Sequence, residues 1–253
     1  MPYQLDVELT AEQKAYMSRF SAESWFTSVD FKNASSPRHP SSKKLEANNE
    51  MKRGLVSSWI RSQVKGKRVL DLFCANGAFS VEAALAGARE VVGVDFSQER
   101  VDCARFLAGT LEDKVDCTFH FMTGDVYELD TIFSEPFDVV IALGGLYHIA
   151  DPPYVLTKIG ELTRERLIMQ TSNVLFRAGN WAKFIIREDR TAEGFTSIRG
   201  GRGVWRFTVD CLRAMLTHPG FEILDERRPP EDASRRFPWY SATLAQPRGT
   251  PGG

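Results

Sequence analysis

The sequence predicts an α/β domain built on a mostly parallel sheet, and three observations carry that expectation. From Arg68 onward, short apolar runs alternate with amphipathic segments at the spacing of βαβ units. The 253 residues, 43% hydrophobic and 26% charged, suit one large packed core and exclude a disordered or fibrous chain. Acidic residues, Asp71, Asp95 and Asp125, stand where the first three runs end.

Taken in order, Thr10-Ala-Glu-Gln13 is a capping-box pattern that starts a helix carrying Tyr16, Met17 and Phe20 toward its end. Ser35, Ser36, Pro37 and Pro40 make a loop, and a second helix begins after Ser41 or Ser42 and runs through Leu45, Leu55, Trp59 and Ile60. RVLDLF, EVVGVDF, CTFHFM, FDVVIALG and RLIMQT read as strands, with AFSVEAALAGA and SQERVDCARFLAG as helices between the first three. Gly87 is a natural stop for the first of these helices and Ser97 a natural N-cap for the second. Residues 173–206 hold Phe176, Trp181, Phe184, Phe195 and Trp205 among many Arg and Gly with no clear period, and read as a lid. A last helix, TVDCLRAMLTHPG, precedes two closing strands, FEILDERR and WYSATLAQ, joined by a Pro-rich charged loop at 229–238. The expected division is therefore a helical leader at 1–65, a main domain at 66–245 with its lid, and a disordered tail at 246–253.

The amino terminus has no signal-peptide pattern, and no run reaches the roughly 20 apolar residues that span a bilayer, so a cytoplasmic protein without membrane contact is expected. Cys74, Cys103, Cys117 and Cys211 form no CxxC pair and no zinc-spaced cluster, which predicts small buried thiols and no metal. Residues 31–70 hold ten Lys and Arg against Glu46 and Glu50, whereas 91–138 are acidic; a solvated helix face explains the basic leader better than nucleic-acid binding in a chain of net charge −1.

An open parallel sheet binds ligands beyond the carboxyl ends of its strands. The first strand end offers Asp71-Leu-Phe-Cys-Ala-Asn-Gly77, a small-residue turn entering a helix, and the second ends at Asp95, 18 residues after Gly77. That pairing suits a nucleoside: the carboxylate accepts ribose hydroxyls while the turn's backbone approaches the ligand. A dinucleotide site normally needs G-x-G-x-x-G, and here Phe73 and Ala75 stand where glycine is expected, so a ligand without phosphate fits better. Gly124-Asp125-Val126 places a third carboxylate for an adenine amino group, with the bland alternatives that Asp125 caps a turn and Asp71 bonds neighbouring amides.

Across about residues 66–245 the chain resembles the class I S-adenosylmethionine methyltransferases, in VLDLFCANGAFS, VVGVDFS, TGDVYEL and FDVVIALGGLYHIADP. GLYHIADP, RERLIMQTS and the leader WFTSVDF look most like the group of tRNA wobble-uridine carboxymethyltransferases and related small-molecule enzymes. LFCANGAFS is also similar to RNA uridine C5-methyltransferases, without their catalytic-cysteine segment. The resemblance implies a Rossmann-like, doubly wound, seven-stranded sheet and S-adenosylmethionine as cofactor. It also implies that Asp71 orients the turn, Gly77 lies against the methionine moiety, Asp95 takes the ribose and Asp125 the adenine, with Phe73, Ala75, Asn76, Phe96, Val126 and Leu143 lining the same cofactor.

The fourth strand runs into Gly144-Gly145-Leu-Tyr147-His148, the place from which such enzymes aim groups at the acceptor atom. Methyl transfer needs alignment, plus removal of a proton when the acceptor is a hydroxyl, which makes His148, with Tyr147 beside it, the candidate general base. A structural histidine bonded to a backbone carbonyl is an equal alternative. Asp151-Pro-Pro-Tyr154 spells a tetrapeptide used by adenine N6-methyltransferases but comes several residues after the strand, where it reads as an N-cap and first helical turn. Trp25, Tyr147, Trp181 and Trp205 are candidates to enclose an apolar acceptor, and Arg199 and Arg202 to grip an anionic one. The function expected is methyl transfer to an oxygen or nitrogen of a small molecule. The rivals are a tRNA-modifying transferase, a non-catalytic binding module of the same fold, and a nicotinamide-dependent dehydrogenase.

Overall fold

The computed structural model of the chain describes residues 1–171, 174–175, 178–186, 203–229 and 241–249. The chain forms two compact units, Met1–Thr123 and Gly124–Gly253.

The first unit opens with β1 (Tyr3–Leu5) and α1 (Ala11–Met17). The capping box is present: Gln13 N–H donates to the Thr10 hydroxyl, and Thr10 N–H donates to the Gln13 side chain. The helix ends at Met17, so Phe20 lies beyond it, where the Ser18 hydroxyl has turned back to donate to the Ala15 carbonyl. Two strands follow, β2 (Val29–Phe31) and β3 (Ala34–Ser35), and β2 pairs parallel to β1 and antiparallel to β3. The leader is thus not helical throughout. Then come α2 (Ser42–Gln63), β4 (Arg68–Leu72), α3 (Ala78–Leu85), β5 (Glu90–Asp95), α4 (Gln98–Gly109) and β6 (Thr118–Thr123), with β5 parallel to both β4 and β6. Gly87, at φ 92°, turns the chain out of α3, and the Ser97 hydroxyl accepts from Arg100 N–H at the start of α4, both as expected.

One apolar cluster joins Leu5, Val7, Leu9, Trp25, Val29 and Phe31 of the leader to Val81 of α3 and to Cys103 and Leu107 of α4. No change of core marks residue 65. Trp25 is fully buried, edge-on to Phe20 and Phe106 at 6.2 and 6.3 Å, so it packs this core instead of enclosing an acceptor. Truncating an indole so placed costs about 3–5 kcal/mol.

The second unit contains α5 (Leu129–Ile132), β7 (Phe137–Leu143), α6 (Pro152–Leu162), β8 (Thr163–Thr171), β9 (Val174–Leu175), β10 (Ala182–Ile186), β11 (Gly203–Thr208), α7 (Val209–Thr217), β12 (Phe221–Arg227) and β13 (Ser241–Pro247). β7 and β8 run parallel, and β13 lies antiparallel to both β8 and β12. Every residue of β7 is buried, and its one charge, Asp138, accepts from Arg164 at 2.7 Å. β4, β5 and β6 in the first unit and β7, β8, β12 and β13 in the second are the seven strands of the expected α/β sheet.

Two expectations change here. In the stretch read as an aperiodic lid, β10 pairs antiparallel to β11, which pairs parallel to β9. Gln246 and Pro247, expected in the tail, close β13 opposite Glu222 and Phe221. Phe176, Phe195, Arg199, Arg202 and residues 230–238 of the expected loop lie outside the described residues. The four cysteines are free, Cys74 and Cys103 buried, Cys117 and Cys211 half-buried. Among the described residues no helix is long and apolar enough to cross a membrane, and no cluster of His, Cys, Asp and Glu is arranged to hold a metal.

Candidate cofactor and acceptor site

In the turn after β4 every second residue takes a left-handed backbone: Phe73 at φ 62°, Ala75 at 49° and Gly77 at 76°. Gly77 has no alternative, since a Cβ there would stand 2.9 Å from the Ala104 Cβ on α4. Phe73 and Ala75 hold the same conformation at about 1–2 kcal/mol each. A sequence that departs from Gly-x-Gly has kept the backbone that Gly-x-Gly makes easy.

Three amides of this turn are consumed within the unit. Cys74 N–H donates to the Val94 carbonyl, Ala75 N–H to Asp95 Oδ2 at 2.9 Å, and Gly77 N–H to the Cys74 carbonyl. A pyrophosphate would need those donors, so the turn suits a nucleoside without phosphates. Asp95 also accepts from Ser97 N–H through Oδ1 at 3.1 Å. Its two oxygens offer about four acceptor positions, so the two amides leave about two for the vicinal hydroxyls of a ribose.

Asp71 lies at the end of β4, 2% exposed, and accepts from the Ser80 hydroxyl at 2.6 Å. Burial, reinforced by the charge of Asp95 and opposed by Ser80, pushes its carboxyl up to about 7. The Asn76 side chain faces the leader: its Oδ1 accepts from Thr27 N–H at 3.0 Å and its Nδ2 donates to the Thr27 carbonyl at 2.9 Å. That leaves only its backbone for a ligand. Phe96 carries the Arg100 guanidinium 5.4 Å above its ring, and Arg100 also lies over Phe26 at 5.7 Å.

Sequence reasoning missed Lys52. It is 6% exposed on α2, with its Nζ 5.2 Å from the centre of the Phe26 ring and no ion-pair partner among the described residues; burial lowers its ammonium to about 8. The signal was spacing. Asn49, Lys52, Val56 and Trp59 recur at helical period, and all four are buried.

In the second unit, Asp125 caps the short turn Val126–Glu128, its Oδ1 accepting from Tyr127 N–H at 2.9 Å. The Asp151 carboxylate accepts from Tyr154 N–H at 3.1 Å at the start of α6, and the Tyr127 hydroxyl accepts from Asp151 N–H at 2.8 Å. The tetrapeptide is a helix cap, as expected. β7 ends at Leu143, and Gly144, at φ 77°, turns the chain while its N–H donates to the Gln170 carbonyl. Tyr147 and His148 follow in a 3-10 turn with ring centres 4.1 Å apart. Trp205 of β11 donates from Nε1 to the Ile149 carbonyl at 2.9 Å, which ties an aromatic group of Phe184, Trp205 and Phe207 to this loop. Among the predicted residues, Asp71, Phe73, Ala75, Asn76, Gly77, Asp95 and Phe96 thus lie in the first unit, and Asp125, Val126, Leu143, Tyr147 and His148 in the second.

Residues 63–196, more than half of the chain, match a family model described as a methyltransferase domain. The ubiquinone biosynthesis O-methyltransferase of Aeromonas salmonicida (strain A449) is 36% identical over 110 residues, 43% of this chain and 44% of that protein. The tRNA U34 carboxymethyltransferase of Ectopseudomonas mendocina (strain ymp) is 29% identical over 169 residues, 62% of this chain and 45% of that protein. The chain therefore spans less than half the length of these two curated relatives. Among solved structures, the N-terminal domain of EvdMO1, crystallised in the presence of SAH and D-fucose, superposes with a TM-score of 0.66 at 17% identity over 95% of this chain and 97% of that one, a likeness of fold. The chain belongs to the class I S-adenosylmethionine-dependent methyltransferases.

Proposed function

We propose that the chain transfers a methyl group from S-adenosylmethionine to an oxygen or nitrogen of a small-molecule acceptor, with a hydroxyl favoured. The observation that carries the acceptor class is the aromatic group of Phe184, Trp205 and Phe207, tied through Ile149 to the loop bearing Tyr147 and His148. With Phe207 buried, it is Phe184, 40% exposed, and the half-buried Trp205 that suit a flat apolar molecule better than a phosphate backbone.

When bound, the cofactor supplies an electrophilic methyl on a sulfonium. The chain's own residues supply position and proton handling. Asp95, fixed by two amides, accepts the ribose hydroxyls. Asp125 accepts the adenine amino group through lone pairs beyond its cap, with Val126 offering its backbone amide. Phe73, Ala75, Gly77, Phe96 and Leu143 line the remainder, and His148 takes the proton of an acceptor hydroxyl while Tyr147 packs against its ring. The free thiols fit a reducing compartment, so we place the reaction in the cytoplasm.

The test is transfer of a radiolabelled methyl from S-adenosylmethionine to a panel of phenols, amines and total tRNA. A small molecule is expected to be labelled, and labelling confined to tRNA would overturn the acceptor class. In the labelled case His148→Ala should lower turnover about 10²–10⁴-fold. Its affinity for S-adenosylhomocysteine should stay unchanged by calorimetry; loss of that affinity would remove His148 from the role of base.

A second reading, carboxymethyl transfer to a tRNA wobble uridine, is favoured by Lys52, a buried cation in want of an anion such as a carboxylated cofactor would bring. It predicts tRNA binding that weakens steeply with salt. Binding of tRNA that does not respond to salt would discard it.

A further inference from the structure

Gln170, on β8 one residue before its end, is fully buried, and among the described residues neither its side-chain oxygen nor its nitrogen has a hydrogen-bond partner. Burying an amide without partners is strongly unfavourable, and an apolar residue of similar shape would avoid the loss. A core strand that needed only packing would carry a leucine here, as it carries Leu167, Ile168 and Met169 just before.

The position adds direction. Gln170 stands in register with Leu143, the last residue of β7, and its carbonyl receives the Gly144 N–H from which the chain departs toward Tyr147 and His148. Its register partner on the other side is Ala242 of β13, whose side chain is a single methyl. The amide therefore sits at the strand ends that carry the proposed base.

We propose that the Gln170 carboxamide is an acceptor-binding group, which takes a ring hydroxyl flanked by a second oxygen on the adjacent carbon. Its Oε1 accepts from the hydroxyl and its Nε2 donates to the neighbouring oxygen, so one ligand satisfies both orphaned atoms side by side. The ring follows from the aromatic group that Trp205 anchors to the same loop. This assignment rests on the methyltransferase reading and narrows its acceptor class.

Gln170→Leu and Gln170→Met test it, with S-adenosylhomocysteine as the cofactor probe and catechol and phenol as acceptor probes. The wild-type cofactor complex is expected to bind catechol more tightly than phenol, and both variants should lose that preference and weaken catechol binding at least tenfold. Both should bind S-adenosylhomocysteine within twofold of wild type and melt a few degrees higher, because the orphaned amide is gone. A lower melting temperature in both variants would make Gln170 a structural residue. Catechol binding that is absent from wild type, or equal in wild type and variants, would overturn the assignment; a tenfold loss of cofactor affinity would move the amide to the cofactor. Wild-type protein that fails to bind S-adenosylhomocysteine would instead sink the methyltransferase reading, and the melting shift would still report on the amide by itself.

Discussion

The turn after β4 and the loop after β7 both leave a strand through a left-handed bend, yet they treat their polar groups differently. At the first, the amides of Cys74, Ala75 and Gly77, the side chain of Asn76 and the carboxylate of Asp95 are tied to one another, to β5 or to the leader. At the second, the neighbouring strand presents Gln170 with neither side-chain atom engaged by a described residue. On the proposed assignments, the contrast teaches that the chain completes its cofactor end by itself and leaves its acceptor end to be completed by a ligand.

The largest expected effect sharpens the first half of that contrast. Asp71 is buried, and its carboxyl titrates near 7 instead of near 3.8, so ionising it in the folded state is unfavourable. The stability it confers is fully present below about pH 3.8 and lost as pH rises through 7. Asp71→Asn should therefore be more stable than wild type at pH 8 by up to ~4 kcal/mol, three units at 1.36 each, with the gain vanishing near pH 3. Chemical denaturation across that range measures it, and a pH-independent difference would show that the carboxylate is comfortably paired.

Next comes the group that ties the turn to the second strand. Asp95→Ala should weaken S-adenosylhomocysteine binding more than 100-fold by calorimetry, about 2.7 kcal/mol or more, since the ribose acceptor goes and the Ala75 and Ser97 amides lose theirs. Wild-type affinity in that variant would break the cofactor assignment. Smallest is Ala75→Gly, which relieves the left-handed backbone while loosening the unfolded chain. A net change within about 1 kcal/mol and unaltered cofactor affinity are expected, and a large loss of either would mean that the Ala75 methyl is itself needed.

The strands β4, β5, β7 and β8 and the helices α3 and α4 were readable because each buries a whole face or a whole run: β7 as FDVVIAL, α4 behind its Ser97 cap. What escaped was set by context. β1, β2 and β3 are two or three residues long, too short for any periodicity, and they pair across 24 or more residues or by a tight reversal. β10 leaves Ala182, Lys183, Phe184 and Ile186 exposed, so no buried face marks it in the sequence. The positive φ of Phe73 and Ala75 is invisible in residue types that ordinarily avoid it, which is why the turn read as a departure from the family pattern. Gln170 and Lys52 read as ordinary polar residues until burial was known. The positions of Asp71, Asp95, Asp125 and His148 were legible because strand ends are where an open sheet concentrates its chemistry.

The bond from Ala75 N–H to Asp95 has a kinetic consequence. With the ribose role proposed for Asp95, a carboxylate held by the Ala75 and Ser97 amides makes a preorganised site: little loop entropy is lost on binding, and no slow rearrangement stands between encounter and capture. Cofactor association should then proceed in a single fast phase whose rate rises linearly with concentration, while any slow step in turnover belongs to the acceptor side.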